Sequence, residues 1–68
     1  MISYKPFEHL LIDRDLLKKD VSELSGVHSQ TLAKMSRGES VNLETIDRIC
    51  TALKCRIDEV VEILPNKE

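Results

Sequence analysis

Ser29, Gln30, Ala33 and Lys34 fall within SGVHSQTLAKMSRG, residues 25–38, at spacings that share one side of a helix. Three of the four carry hydrogen-bonding groups and Ala33 is small, so this side could donate to and accept from the edge of another molecule. Val27, Leu32 and Met35 take the opposite, apolar side. Lys18 and Lys19 precede the stretch and Arg37 closes it, which suits an anionic surface. Catalytic chemistry has far less to work with. His9 and His28 are isolated, and no nucleophile–base pair lies near either. Cys50 and Cys55 fall at apolar positions and read as small buried hydrophobes rather than as metal ligands or a redox pair. No Cys/His cluster stands at zinc-ligand spacing. The expectation is a binding protein with no enzymatic activity, no metal and no cofactor.

Charge sharpens that expectation once it is divided along the chain. The net charge of -2 is a poor sign for an anion binder. Residues 18–37, however, carry Lys18, Lys19, Lys34 and Arg37 against only Asp20 and Glu23, while the acids collect in residues 38–68. The local field around the polar stretch is positive, and the local field governs anion binding.

These residues need a scaffold, and 68 residues provide one small domain. A chain of that size buries only about 60% of its unfolded surface, so it needs an efficient core or a partner subunit. Hydrophobic residues at 41% and charged residues at 32% place it among globular rather than disordered chains. Two cysteines are too few for a disulfide scaffold. No apolar run is long enough to span a bilayer, and MISYKPFEHL lacks the pattern of a signal peptide. The expected location is the cytoplasm, with no membrane contact and no evident small-molecule substrate.

Periodicity predicts an all-α fold of five helices. The first covers about Pro6–Asp13, with Phe7, Leu10 and Leu11 inward and Pro6 in its first turn. The second covers about Lys19–Ser25. There DVSE reads as a capping box with Asp20 as the cap, Val21 and Leu24 face inward, and Gly26 ends the helix. The third starts at His28 or Ser29 and ends near Ser36, before Gly38. The fourth covers about Leu43–Leu53, capped by Asn42, with Leu43, Ile46, Ile49, Cys50 and Leu53 inward. The fifth covers about Ile57–Glu62, with Ile57, Val60 and Val61 inward. ISY (2–4) and EIL (62–64) are short and β-prone, and could pair as a two-stranded sheet within one chain or between two.

The second and third segments, about residues 19–36, form a helix, a Gly-centred turn and a second helix. The small Ser22 and Ser25 would allow a close crossing. This is a helix-turn-helix, whose second helix, here about 28–36, fits the major groove of double-stranded DNA. Gln30 could then make a bidentate contact to adenine, and Ser29 could donate to a base or phosphate. Ala33 could touch a thymine methyl, and Lys34 could reach guanine or phosphate. Lys18, Lys19, Arg37, Ser40 and Asn42 would hold the phosphate backbone.

LKKDVSELSGVHSQTLAKMSRGESVNLETIDRICTALKC, residues 17–55, resembles the Cro-like, lambda-repressor-like (Xre-family) regulators. Gly26–Val27, QTLAKMSRGE, VNLETIDRIC and ALKCRIDEVVE carry the resemblance, and ISYKP is similar to the start of the very small members. The resemblance implies a bacterial or phage-derived DNA-binding transcription regulator, usually a homodimer, with a lambda-repressor-like fold over residues 1–68. It also implies that His28, Ser29, Gln30, Ala33 and Lys34 face the bases. Three positions depart from the family pattern. His28 stands where a Ser or Thr cap is common, which shifts the expected cap to Ser29. Ser22 stands where Ala is frequent, and Lys19 stands where a Ser or Thr cap is frequent. If His28 touches phosphate, binding should strengthen as pH falls towards about 6.

A domain this small buries limited DNA surface, so two copies on a two-fold site are expected. The dimer contact is expected at Val60, Val61, Ile63 and Leu64, with Ile2 and Tyr4. The rival reading is a protein-interaction module, such as the antitoxin of a toxin–antitoxin pair, using the acidic C-terminal third.

Overall fold

Strands from near the two termini meet in one antiparallel ladder: β1 (Ile2–Ser3) pairs with β2 (Glu62–Ile63), Ile2 opposite Ile63 and Ser3 opposite Glu62. The computed structural model describes residues 1–65. Between the strands run α1 (Lys5–Asp13), α2 (Lys18–Ser25), α3 (Ser29–Ser36), α4 (Leu43–Leu53) and a single 3₁₀ turn, Ile57–Glu59. The expected pairing of ISY with EIL therefore occurs, and within one chain.

The fifth helix does not form. A segment that short gains few i→i+4 bonds for the backbone entropy it fixes. After one 3₁₀ turn the chain straightens instead, and Glu62 and Ile63 take ladder partners on β1.

Each helix end has a local cause. Pro6 sits in the first turn of α1, where its missing N–H is no loss. The cap of α2 lies one turn earlier than DVSE suggests. Leu17 is the extended N-cap residue, and Asp20, at the third helical position, accepts its N–H at 2.9 Å. Asp20 is therefore the reaching-back partner rather than the cap, and Lys18 and Lys19 form the first turn. Asn42 caps α4 as expected, its Oδ1 accepting from Thr45 N–H at 2.9 Å and from the Thr45 hydroxyl at 2.8 Å.

The core is Tyr4, Phe7, Leu11, Val21, Val27, Leu32, Met35, Ile46, Ile49, Leu53 and Val60. α2 packs on α3 and α4, and the 3₁₀ turn closes over α1. Emptying Phe7 to Ala costs about 3–5 kcal/mol, as much as a core of this size supplies, so one such cavity is enough to unfold the domain.

Three residues assigned inward by periodicity are on the surface: Leu24 at 60%, Leu43 at 74% and Ile57 at 50% exposure. Each lies at the edge of an apolar stripe, where the angle to the neighbouring helix decides burial and a 3.6-residue repeat does not. Val60 shows the reverse. It is fully buried in its own chain and offers no surface to a second copy.

Candidate nucleic-acid interface

The turn between α2 and α3 is fastened by more than its glycine. Gly26 takes a left-handed φ of 76°, which ends α2 without strain. The Ser22 hydroxyl then donates across the turn to the Val27 carbonyl at 2.7 Å. The Ser25 hydroxyl donates to the Val21 carbonyl at 2.6 Å and accepts Val27 N–H at 3.2 Å. Both serines thus tie the backbone that fixes the angle between the helices. Small size was the only signal read from them. Their hydroxyls matter because the turn carbonyl and amide need partners.

His28 is the N-cap of α3, its Nδ1 accepting Gln30 N–H at 3.2 Å. The cap has not moved to Ser29. An unprotonated imidazole nitrogen does the work of the usual hydroxyl, and protonation, which would add a charge for phosphate, would also remove this acceptor.

With Leu32 and Met35 buried beneath it, α3 turns His28, Ser29, Gln30, Ala33 and Lys34 to the exterior, and all five are exposed. A shallow groove of about 460 Å³ runs between the start of α2 and the length of α3. It is lined by Lys18, Lys19, Ser29, Leu32, Ala33, Ser36 and Arg37. Lysine, lysine and arginine therefore meet along one groove that no acid lines. Their separation in sequence closes because α2 and α3 cross at the Gly26 turn. Gln30 and Lys34 lie outside this groove on the same helix, and Ser40 and Asn42 lie on the connection to α4. Asn42 already spends its carbonyl oxygen on the α4 cap.

Two residues at this surface escaped the sequence reading. Ser36 accepts from the Lys18 ammonium and so links the start of α2 to the end of α3. Glu39 meets Arg37, Nε to Oε2, at 2.6 Å. The hydrogen bond and charge of Arg37 hold the Glu39 carboxyl below the usual carboxylate range. A Ser in a last helical turn and an acid two residues beyond a basic residue are too common to stand out in a sequence.

A second feature lies on another face. Ile2, Tyr4, Val41, Leu43, Ile46, Ile57, Val61 and Ile63 line an apolar groove of about 370 Å³, with Asp58 and Glu62 at its margin. Asp58 is paired with Arg56 at 3.1 Å, and Glu62 accepts from the Ser3 hydroxyl at 3.0 Å. Leu43 and Ile63 stand proud of this groove, 74% and 75% exposed.

Cys50 and Cys55 are free thiols, half-buried against the core. Desolvation raises the Cys50 thiol and pushes Cys55 to about 11, so both stay protonated. No group of three or more His, Cys, Asp or Glu residues that could hold a metal ion occurs among the described residues, and no described helix is long and apolar enough to cross a membrane.

Residues 7–66 match the family model of the Cro/C1-type HTH DNA-binding domain. Among solved structures, the chain is similar to one described as the crystal structure of transcriptional regulator VanUg, with 38% identity and a TM-score of 0.87. That likeness covers 96% of this chain and 87% of the other. A search of curated protein sequences gave no match.

Proposed function

The chain belongs to the Cro/C1-type helix-turn-helix DNA-binding family, and on that premise we propose that it is a sequence-specific transcription regulator, a repressor or autoregulator, that reads the major groove with α3. One observation carries the reading: the exposed, hydrogen-bonding face of α3 adjoins a groove lined by Lys18, Lys19 and Arg37 and by no acid. The description of a solved protein of this likeness as a transcriptional regulator supports the regulatory half.

On this reading the work divides along the surface. With its side chains an α-helix such as α3 is about 10–12 Å across, which fits the width of the major groove, about 12 Å. His28, Ser29 and Gln30 enter first, because the N-terminal end of a recognition helix meets the base edges. The amide of Gln30 pairs with adenine, and Ala33 lets the helix sink against a thymine methyl. Lys34 serves guanine or phosphate. Lys18, Lys19 and Arg37, with Ser40 and the amide nitrogen of Asn42, hold the backbone and fix the register.

Specific binding by so small a domain needs a second copy, and the apolar groove suits one. Protruding Leu43 and Ile63 lie on the same face as the hollow, so a two-fold contact can seat the ridge of each copy in the groove of the other. Its acids are already partnered within each chain, which limits like-charge repulsion. This drops buried Val60 from the expected dimer contact, retains Ile2, Tyr4, Val61 and Ile63, and adds Leu43 and Ile57, while Leu64 lies outside the groove.

The test is selection of bound fragments from a random duplex pool, repeated with Gln30→Ala. We expect one enriched, two-fold motif for the unaltered protein. For Gln30→Ala we expect a loss of about 1–3 kcal/mol on that motif and relaxed preference at one base pair per half-site. Selection without an enriched motif, or a Gln30→Ala motif identical to the parent, would remove the reading face assigned here.

A further inference from the structure

Glu39 puts a carboxylate where the dipole of α3 and the binding of an anion from outside both work against one. It lies just past the C-terminal end of α3, the negative end of the helix dipole. It also lies beside the cations assigned to phosphate. Yet it is held there at three points. Its N–H donates to the Lys34 carbonyl at 3.0 Å. Its carbonyl accepts from the hydroxyl of Tyr4, a core residue, at 2.8 Å. Its Oε2 meets Arg37 Nε at 2.6 Å. The first two bonds fix the backbone of residue 39, so the carboxylate is presented to Arg37 by the fold and not by a free loop.

We infer that Glu39 is a built-in counter-anion, which occupies Arg37 in the unbound protein and gives it up to a DNA phosphate on binding. The inference rests on the reading of Arg37 as a phosphate ligand. The pair can exchange because it is wet, its side chains being 59% and 48% exposed. It must exchange because a phosphate on the remaining guanidinium donors would sit within a few ångströms of the carboxylate, two anions on one cation. Glu39 thereby sets the affinity of the domain for every duplex, without touching a base.

An exposed ion pair of this kind is weak, so breaking it should cost DNA binding only about 1.4–5-fold per copy. The experiment is a double-mutant cycle on a random-sequence duplex of about two helical turns at low salt, with Glu39→Gln, Arg37→Ala, both together and the parent protein. Circular dichroism confirms that each is folded. We expect Glu39→Gln to tighten binding within that range and Arg37→Ala to weaken it. In the Arg37→Ala background the Glu39→Gln gain should vanish. Unchanged or weaker binding by Glu39→Gln would overturn the inference, since Glu39 would then orient Arg37 rather than compete for it. A gain of full size in the Arg37→Ala background would also overturn it, as plain repulsion between Glu39 and DNA. If Arg37→Ala binds as the parent does, the phosphate role of Arg37 fails as well, and this separates the failure of the site from the failure of the counter-anion.

Discussion

Lys19 gives the cleanest test of the charged groove, because among the described residues it alone of the three cations there has no hydrogen bond or ion pair of its own. Lys18 donates to Ser36 and Arg37 is paired with Glu39. Each phosphate neutralised on duplex DNA contributes about -0.9 to the slope of log K against log salt. Lys19→Gln should therefore flatten the slope by about 0.9 per bound copy, or about 1.8 for a dimer. Between about 50 and 200 mM salt, one such contact changes affinity about 3.5-fold, and two change it about 12-fold. The parent protein should lose that much more affinity over this range than the variant. Fluorescence anisotropy on a labelled duplex across a salt series gives the slope directly. Arg48→Gln is the matched control: it also removes one exposed cation, but from α4 and away from the groove. An unchanged slope for Lys19→Gln, or an equal flattening by Arg48→Gln, would refute the placement of phosphate along α2 and α3. In the first case Lys19 meets no phosphate. In the second, only the total charge matters.

Gly26→Ala should destabilise the domain by about 1–2 kcal/mol, read as a lower urea midpoint with an unchanged slope. No atom crowds the position, so the cost is that of holding φ at 76° with a side chain. Leu43→Lys should shift sedimentation towards monomer at high micromolar concentration and weaken binding to a two-fold site, whereas Ile12→Lys, equally exposed but outside the apolar groove, should do neither. Cys55 should resist alkylation by iodoacetamide at about pH 8.5 and react at an ordinary rate only once unfolded, because thiolate is the nucleophile and its folded pKa is raised to about 11. The sign for stability follows. A thiol raised in the fold favours folding below its unfolded pKa of about 8.5–9, and that contribution is lost as pH rises through about 11. Cys55→Ser should flatten this alkaline loss.

Much of this architecture is legible in the sequence. Four helices were placed within a residue or so of their ends, since each carries a 3.6-residue apolar repeat and a stop such as Gly26. The polar face of α3 was legible for the same reason: once Leu32 and Met35 are inward, Ser29, Gln30, Ala33 and Lys34 have only one direction left. The cap of α2 was misplaced because Asp20 serves equally well at two positions of a capping pattern, and only the extended backbone of Leu17 chooses between them. The C-terminal segment was read as a helix because Ile57, Val60 and Val61 satisfy the helical repeat. Its strand exists only through β1, some sixty residues away.

Local rules by themselves determined the helix-turn-helix, the exposed polar face of α3 and the cations around it, because propensity, periodicity and glycine chemistry act within about four residues. The tertiary structure alone decided which apolar edges stay wet: Leu43 and Ile57 outside, Val60 inside. It alone brought Lys18 to Ser36 and Tyr4 to Glu39. The physical reason is the same in each case. Burial and long-range hydrogen bonds depend on the angles at which elements cross, and a repeat along one helix carries no information about its neighbour.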